Sequence, residues 1–212
     1  MQTDFDTKTI QGLREYYHRA SLVLWNSNCL FERHIEELTT QCMEQFQEPS
    51  EVNETVLNQE WHRLNFQTTS VLRYAMLPRF VGLTEYIVKA ICRIADADAC
   101  RALAHRSWFK EHIRLLTKLG VPLDGIADEL ENFKHLEVLR NCVVHANGDI
   151  DACKDPNRVA NAIDAIDTAD RFRDGFVWLG DQVIPTAQLA LGRIAERLFQ
   201  HFGYPLDIRR FG

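Results

Sequence analysis

Apolar residues recur every three, four or seven positions from residue 7 to residue 47. An α-helix has 3.6 residues per turn, so this spacing places the apolar side chains on one face of a helix. The pattern predicts one long helix or two shorter ones, which the polar segment 48–50 interrupts. Helical spacing resumes at residues 51–77, and Pro78 is expected to kink or end this second helix because proline lacks a backbone donor.

The middle of the chain has the same helical spacing, divided by stop signals. Residues 79–94 and 96–119 are predicted to be helical, and Gly120 ends the second stretch shortly before a proline, the usual order at a helix end. The next predicted helix covers residues 124–146. It stops at Asn147–Gly148, a pair suited to the left-handed turn that closes many helices.

The last part of the chain predicts two helices with a short hairpin between them. Asp155 suits the N-cap position and is followed by a proline at the first helical position, so a helix is expected over residues 155–174. Apolar residues at 176–184 surround a Gly-Asp pair and predict two short strands joined by a turn. Pro185 is expected to start a final helix that runs to about residue 202.

Together these elements predict an all-α fold, a helical bundle with long N-terminal helices and one short β-hairpin before the last helix. The length of 212 residues suits one substantial core with an elaboration. We therefore expect a main helical domain at residues 79–212. Residues 1–78 are expected to form an N-terminal helical extension packed on it.

Composition narrows the possible classes of protein. Hydrophobic residues make up 46% of the chain and charged residues 25%, as in ordinary soluble domains. No apolar run approaches the ~18 residues of a membrane span, and the acidic start does not resemble a secretory signal, so a cytoplasmic protein without membrane contact is expected. The six cysteines form no C-x-x-C pair and mostly lie in apolar helical patterns, which predicts buried free thiols rather than disulfides or a zinc site.

The net charge of −6 argues against a broadly basic surface that coats nucleic acid. A small groove with local positive charge remains compatible with it. A symmetric dimer would supply such a groove by pooling two sets of arginines.

Residues 136–146 place polar side chains inside an apolar run. A helical projection of this segment gives two apolar stripes on roughly opposite sides, Leu136, Leu139, Val143 and Ala146 on one and Val138 and Cys142 on the other. A helix that is apolar on two faces is covered on two faces. One cover is expected to be the core of the domain, and the other a neighbouring helix or a partner subunit.

Arg140, Asn141 and His145 interrupt this apolar run. Burying them costs free energy unless each finds a partner, so we expect either a structural network or a functional site. Asn141 and His145 are four residues apart and share a helix face, while Arg140 lies on the flank with a long side chain. The three polar groups are therefore expected to converge near one phosphate.

These residue types suit cleavage of RNA by its own 2′-hydroxyl. A histidine moves protons near neutral pH, and an arginine offers a fork of hydrogen bonds to the phosphoryl group. Asn141 would orient the histidine or the phosphate. The nucleophile is already in the substrate, so we predict no metal and no other cofactor, and products with 2′,3′-cyclic phosphate and 5′-hydroxyl ends.

The run Leu139-Arg140-Asn141-Cys142-Val143-Val144-His145-Ala146-Asn147-Gly148 resembles the signature of HEPN domains, in which an arginine and a polar residue precede a histidine. The resemblance covers about residues 79–202. It implies a helical bundle that dimerises with the two motifs facing each other. It also implies a metal-independent endoribonuclease acting on RNA as a toxin or antiviral-defence (abortive infection) effector, with an antitoxin or defence-system protein as a possible partner. Arg140, Asn141 and His145 would then be the catalytic residues.

Other interpretations remain open. Arg140 and His145 would also suit the end of a helix, where cations gain roughly 0.3–1 kcal/mol from the helix dipole, although Asn141 is then unexplained. The resemblance also allows, as the alternative, a catalytically inactive HEPN-fold dimer that binds a nucleotide or a protein. Glu85 either hydrogen-bonds Arg140 or faces solvent. His105 and His112 lack the spacing of a zinc helix and are expected to be solvated.

Overall fold

The computed structural model describes residues 6–45, 55–56, 58–60, 63, 68–103, 108–166, 169–171 and 175–206. These residues form the predicted all-α fold with one short antiparallel hairpin. In the described part of the chain, no helix has both the length and the apolar character that a membrane crossing requires. The elements are α1 (Ile10–Gln45), α2 (Thr69–Ala95), α3 (Ala97–Arg101), α4 (Trp108–Lys118), α5 (Ala127–Ala146), α6 (Pro156–Ala165), β1 (Ala169–Arg171), β2 (Val177–Leu179) and α7 (Val183–His201).

The N-terminal region is one long helix, α1, rather than two. Most of residues 51–67 lie outside the described part. Residues 55–56 and 58–60 are helical, and the predicted second helix is continuous from Thr69 onward. That helix, α2, continues without a break through Pro78 to Ala95. Pro78 was predicted to kink or end a helix, and the prediction that it ends one is wrong. The proposed division at residues 78 and 79 falls inside α2, and it stays a prediction.

Packing explains why α2 continues through its proline. Leu77 and Phe80, on either side of Pro78, are fully buried in the core. Proline removes one backbone hydrogen bond from a helix interior and costs about 3 kcal/mol relative to alanine. Burying two large apolar side chains contributes about 1.5–3 kcal/mol each, which offsets that cost.

The core lies where α2, α5 and α7 pack together, with α1 against α2 and α7 and with α6 against α5. Its largest fully buried side chains include Phe80, Phe133 and Phe199. Leu13 and Tyr17 of α1 belong to the same core, and the rings of Tyr17 and Phe199 are 5.8 Å apart. The long N-terminal helix α1 is thus packed on α2 and α7.

A buried arginine joins three distant parts of the chain. Arg73 in α2 donates two hydrogen bonds to the carboxylate of Glu32 in α1, at 3.1 and 3.0 Å. A third hydrogen bond, of 3.0 Å, reaches the backbone carbonyl of Leu179 in β2. The side chain of Arg73 is only 7% exposed, so its charge is compensated almost entirely by these partners.

The hairpin precedes the last helix as predicted, but its position differs. β1 pairs antiparallel with β2, so that Ala169 lies opposite Leu179. β2 matches the first predicted strand, whereas Val183 and Ile184, expected in the second strand, begin α7. Both are fully buried and start a helical series of buried residues. Pro185 lies in the first turn of α7, where a missing backbone donor costs little.

Most predicted helix ends are confirmed. Asp155 accepts a hydrogen bond of 3.1 Å from the backbone N–H of Arg158 and caps α6, which starts at a proline. α6 ends at Ala165 rather than near residue 174, because β1 follows it. The stretch predicted as one helix at residues 96–119 contains α3 and α4, and residues 104–107 between them lie outside the described part.

Candidate functional site

Helix α5 carries the motif and is covered on both apolar faces. Leu136 and Leu139 of the first stripe are fully buried. Val138 and Cys142 of the second stripe are buried as well, and the Cys142 side chain is only 2% exposed. Neighbouring elements of the same chain therefore cover both faces. The centres of the two stripes are about 100° apart around the helix axis, so the expectation that they lie on roughly opposite sides is wrong. Elements of the same chain, rather than a partner subunit, cover the second stripe.

Arg140 points toward α2 and is held there by an ion pair. Its guanidinium Nη2 donates a 3.1 Å hydrogen bond to Oε2 of Glu85. The hydrogen-bonding alternative for Glu85 is thus confirmed. The other carboxylate oxygen of Glu85 accepts a hydrogen bond from Lys89, so one carboxylate contacts two cations. The Arg140 side chain is 20% exposed, but its Nε is buried and has no hydrogen-bond partner among the described residues.

Asn141 and His145 lie on the outer surface of α5, and both are exposed. The expectation that all three polar residues are buried in an apolar run is therefore wrong for these two. Within the part of the chain that the structure describes, neither side chain makes a hydrogen bond or an ion pair. His145 lies in the last turn of α5, at the negative end of the helix dipole.

The three motif residues do not converge within one chain. Asn141 and His145 are separated by about 40° around the helix axis, so they share a face. Arg140 and His145 are separated by about 140° and by about 7.5 Å along the axis. Because Arg140 also turns toward Glu85, the helix brings Asn141 and His145 together and leaves Arg140 at the boundary with α2.

The end of the motif helix is fixed by backbone contacts. Asn147 has φ 55° and Gly148 has φ 83°, as expected for the predicted left-handed end. Gly148 donates its N–H to the carbonyl of Cys142 and accepts a 2.8 Å hydrogen bond from the N–H of Val177 in β2. The hydroxyl of Tyr74 in α2 donates to the carbonyl of Val177. The position of His145 at the helix end is thus tied to both α2 and the hairpin.

Cys142, inside the motif, is not suited to act as a nucleophile. Its thiol donates to the carbonyl oxygen of Asp149 at 3.7 Å, and the thiol of Cys153 donates to the same oxygen at 3.3 Å. Burial raises the pKa of Cys142, and the neighbouring thiol of Cys153 raises it further. The thiolate is the reactive form of cysteine, and this environment disfavours it.

His112 was expected on the surface, and that expectation is wrong. Its side chain lies in the buried face of α4 and is 7% exposed, because the α4–α2 contact covers it. Its Nε2 is 3.9 Å from the sulfur of Cys100. His105 lies outside the described residues. No group of three or more His, Cys, Asp or Glu side chains suited to a metal ion occurs among the described residues.

A groove between α1 and α2 was missed at the level of sequence. Its volume is about 710 Å³, and Tyr16, Arg19, Arg79, Gly82 and Tyr86 are among the residues that line it. Two spacings point to it in retrospect: Arg79 and Tyr86 are seven residues apart, and Tyr16 and Arg19 are three apart. Both spacings place the pair on one helix face. Only the packing of α1 on α2 shows that the two faces meet.

The chain matches no protein-family model, no curated protein and no solved structure. The likeness to HEPN domains accordingly rests on the residues of the motif segment 139–148 and on the helical character of the chain around it.

Proposed function

We propose that this chain is a metal-independent endoribonuclease of the HEPN type, with Arg140, Asn141 and His145 as its catalytic residues. One observation carries the proposal. At the C-terminal end of α5, the motif presents an exposed histidine that makes no hydrogen bond or ion pair among the described residues, while its arginine donates a hydrogen bond to Glu85. The biological role that the resemblance supports is a toxin or antiviral-defence effector, kept in check by an antitoxin or another defence-system protein.

In the proposed reaction the 2′-oxygen of RNA attacks the adjacent phosphorus, and the bond from phosphorus to the 5′-oxygen breaks. His145 takes the proton of the 2′-hydroxyl or delivers a proton to the leaving 5′-oxygen. Arg140 donates hydrogen bonds to the phosphoryl oxygens as their charge increases, using guanidinium nitrogens that Glu85 does not occupy. The amide of Asn141, on the same face as His145, orients the phosphate or the imidazole.

A homodimer through the outer face of α5 would complete this site. Within one chain Arg140 and His145 diverge, so a second copy is needed to bring a histidine opposite an arginine and to supply both an acid and a base. Val144 lies on this outer face and is 50% exposed, which provides an apolar contact for a second copy. The buried second stripe of α5, considered earlier as the dimer contact, does not contribute.

The alternative function is a non-catalytic binding module of the same fold. The ion pair between Arg140 and Glu85 favours it, because a neutralised arginine is a weaker ligand for phosphate. In that case the exposed face of Asn141, Val144 and His145 would bind a nucleotide or a protein without cleaving RNA.

The decisive experiment measures cleavage of a single-stranded RNA by the purified protein. His145→Ala and Arg140→Ala should each reduce the rate by about 10²–10⁴-fold while leaving thermal unfolding largely unchanged. Arg140→Lys should also fail, because an ammonium group lacks the planar fork. His135→Ala is the matched control, since His135 lies on the same helix and contacts Glu131 instead.

Cleavage should persist in excess EDTA and leave 2′,3′-cyclic phosphate ends. Loss of activity with the chelator, or activity that survives both alanine substitutions, would return the protein to the binding-module alternative. Growth arrest upon overexpression, absent for His145→Ala, is the corresponding test in cells. A monomer at micromolar concentration in light scattering would contradict the dimer.

A further inference from the structure

The groove between α1 and α2 combines aromatic rings with an open floor. Tyr16 and Tyr86 meet edge to face, with ring centroids 5.4 Å apart and planes at 64°. Tyr86 is 41% exposed on the outer face of α2. A Cβ atom placed on Gly82 would meet no atom within 4 Å, so the groove floor is open at this glycine. An exposed aromatic ring beside open space offers a surface for stacking.

The charge of the groove is positive although the protein as a whole is acidic. Arg19 and Arg79 are exposed at its edges, and the described residues that line it include no aspartate or glutamate. Arg93, also exposed, follows Tyr86 by seven residues, as Tyr86 follows Arg79. These three side chains therefore form a row along one face of α2 that is about 21 Å long. In a protein of net charge −6, such a row indicates an anionic ligand.

The groove shares α2 with Glu85, the residue that contacts the motif on α5. Tyr86 follows Glu85, the residue that holds Arg140. The two side chains diverge by about 100° around α2, and Lys89 lies between them in projection. An extended polyanion in the groove would therefore pass Lys89 and reach Arg140 at the boundary with α5.

We propose that this groove binds single-stranded RNA, with a base stacked on Tyr86 and with phosphates contacted by Arg19 and Arg79. Unpaired bases stack on aromatic side chains whatever their sequence, whereas bases within a duplex are not accessible to such stacking. The inference rests on the proposed function for its choice of RNA as the ligand. It assigns the residues that bind the substrate beside the catalytic motif.

Binding is measured by fluorescence anisotropy with a labelled 12-nucleotide single-stranded RNA, in the His145→Ala background so that the probe stays intact. Tyr86→Ala should weaken binding by about 5–150-fold, the range for loss of one stacked base. Tyr86→Phe should retain affinity, because the ring is what stacks. Arg79→Ala should reduce the slope of log K against log salt by about 0.7, whereas Arg79→Lys should preserve it.

Two glycines provide a variant that blocks the groove and a matched control. Gly82→Glu puts bulk and negative charge into the groove from a Cβ that meets no atom within 4 Å, and it should weaken binding at least as much as Tyr86→Ala. Gly82→Ala fills little space and should bind as the parent does. Gly192→Glu makes the same change of charge on α7, where a Cβ also meets no atom within 4 Å, and should leave RNA binding intact.

Equal affinity in the parent, Tyr86→Ala and Gly82→Glu would overturn the proposal. So would dissociation of a dimer by Gly82→Glu in light scattering, because the groove would then be an interface between copies of this chain. The assay also separates this inference from the proposed function. If the protein with His145 intact cleaves RNA and the groove variants do not change the rate, only the proposed RNA-binding role of the groove is refuted. If RNA binding depends on the groove but no RNA is cleaved, only the proposed nuclease function is refuted.

Discussion

Gly148 closes the motif helix, and substituting it should be unusually costly. With φ 83°, the residue has a left-handed backbone that costs an L-amino acid about 1–2 kcal/mol. An added Cβ would lie 2.1 Å from the hydroxyl oxygen of Tyr74, far inside contact distance. Tyr74 would have to move and would lose its hydrogen bond to the Val177 carbonyl, which costs about 1–3 kcal/mol if that acceptor stays buried.

The two terms together predict that Gly148→Ala lowers the free energy of unfolding by about 2–5 kcal/mol. Gly203→Ala is the matched control, because Gly203 has φ 82° but no atom within 4 Å of a Cβ. It should lose only the backbone term, about 1–2 kcal/mol. The difference in melting temperature between the two variants should be roughly 2–12 °C for a chain of this size.

Thermal and urea unfolding followed by circular dichroism at the helical band measure both variants under the same conditions. Equal destabilisation of Gly148→Ala and Gly203→Ala would show that Tyr74 does not restrict this turn. The explanation for the fixed end of α5 would then be wrong, and with it the argument that β2 and α2 hold His145 in place.

Three further predictions concern stability. Pro78→Ala should stabilise the protein, by up to about 3 kcal/mol in urea unfolding, because it restores a donor to the interior of α2; a destabilised variant would contradict this. Arg73→Lys should destabilise by about 1.5–3 kcal/mol, since an ammonium group cannot satisfy both Glu32 and the Leu179 carbonyl; unchanged unfolding would argue against this buried contact. Burial raises the pKa of Cys92 and of Tyr74 to about 12, so as pH rises the unfolded chain loses these protons before the folded chain does. The free energy of unfolding should therefore fall above about pH 9–10, and less steeply in Cys92→Ala. A free energy of unfolding that stays constant up to pH 11 would refute this prediction.

Signals that act within a few residues were sufficient to predict two of the helix ends, the start of α6 and the end of α5. Asp155 caps α6 through its own side chain, and Asn147–Gly148 supplies the left-handed turn that ends α5. In both cases the interaction depends only on residues that are close in sequence, so the position of the helix end can be predicted from the sequence.

Features that depend on distant packing were not predictable in the same way. Pro78 is accommodated because Leu77 and Phe80 reach the core, and Val183 joins a helix because its neighbours in space bury a helical face. His112 carries no mark in the sequence that distinguishes a buried from an exposed histidine. Each outcome is decided by which elements meet, and a periodic pattern does not contain that information.

The candidate site shows the same division. The motif could be located from its residue types, and the contact between Glu85 and Arg140 could be suggested as one of two alternatives. The exposure of Asn141 and His145 could not be predicted, because the apolar run around them indicated that they are buried. The groove with Tyr16 and Tyr86 required the packing of two helices that are far apart in the chain.

The contacts of Arg73 have a consequence for synthesis on the ribosome. Its partner in α1 is translated earlier, but the Leu179 carbonyl that completes its hydrogen bonds is 106 residues further along the chain. At ~5–20 residues per second, translation of that segment takes roughly 5–20 s. During this interval the nascent α1 and α2 carry a guanidinium that cannot yet be fully satisfied, together with apolar faces that await α7. We therefore expect chaperones to bind the nascent chain until the hairpin has left the exit tunnel.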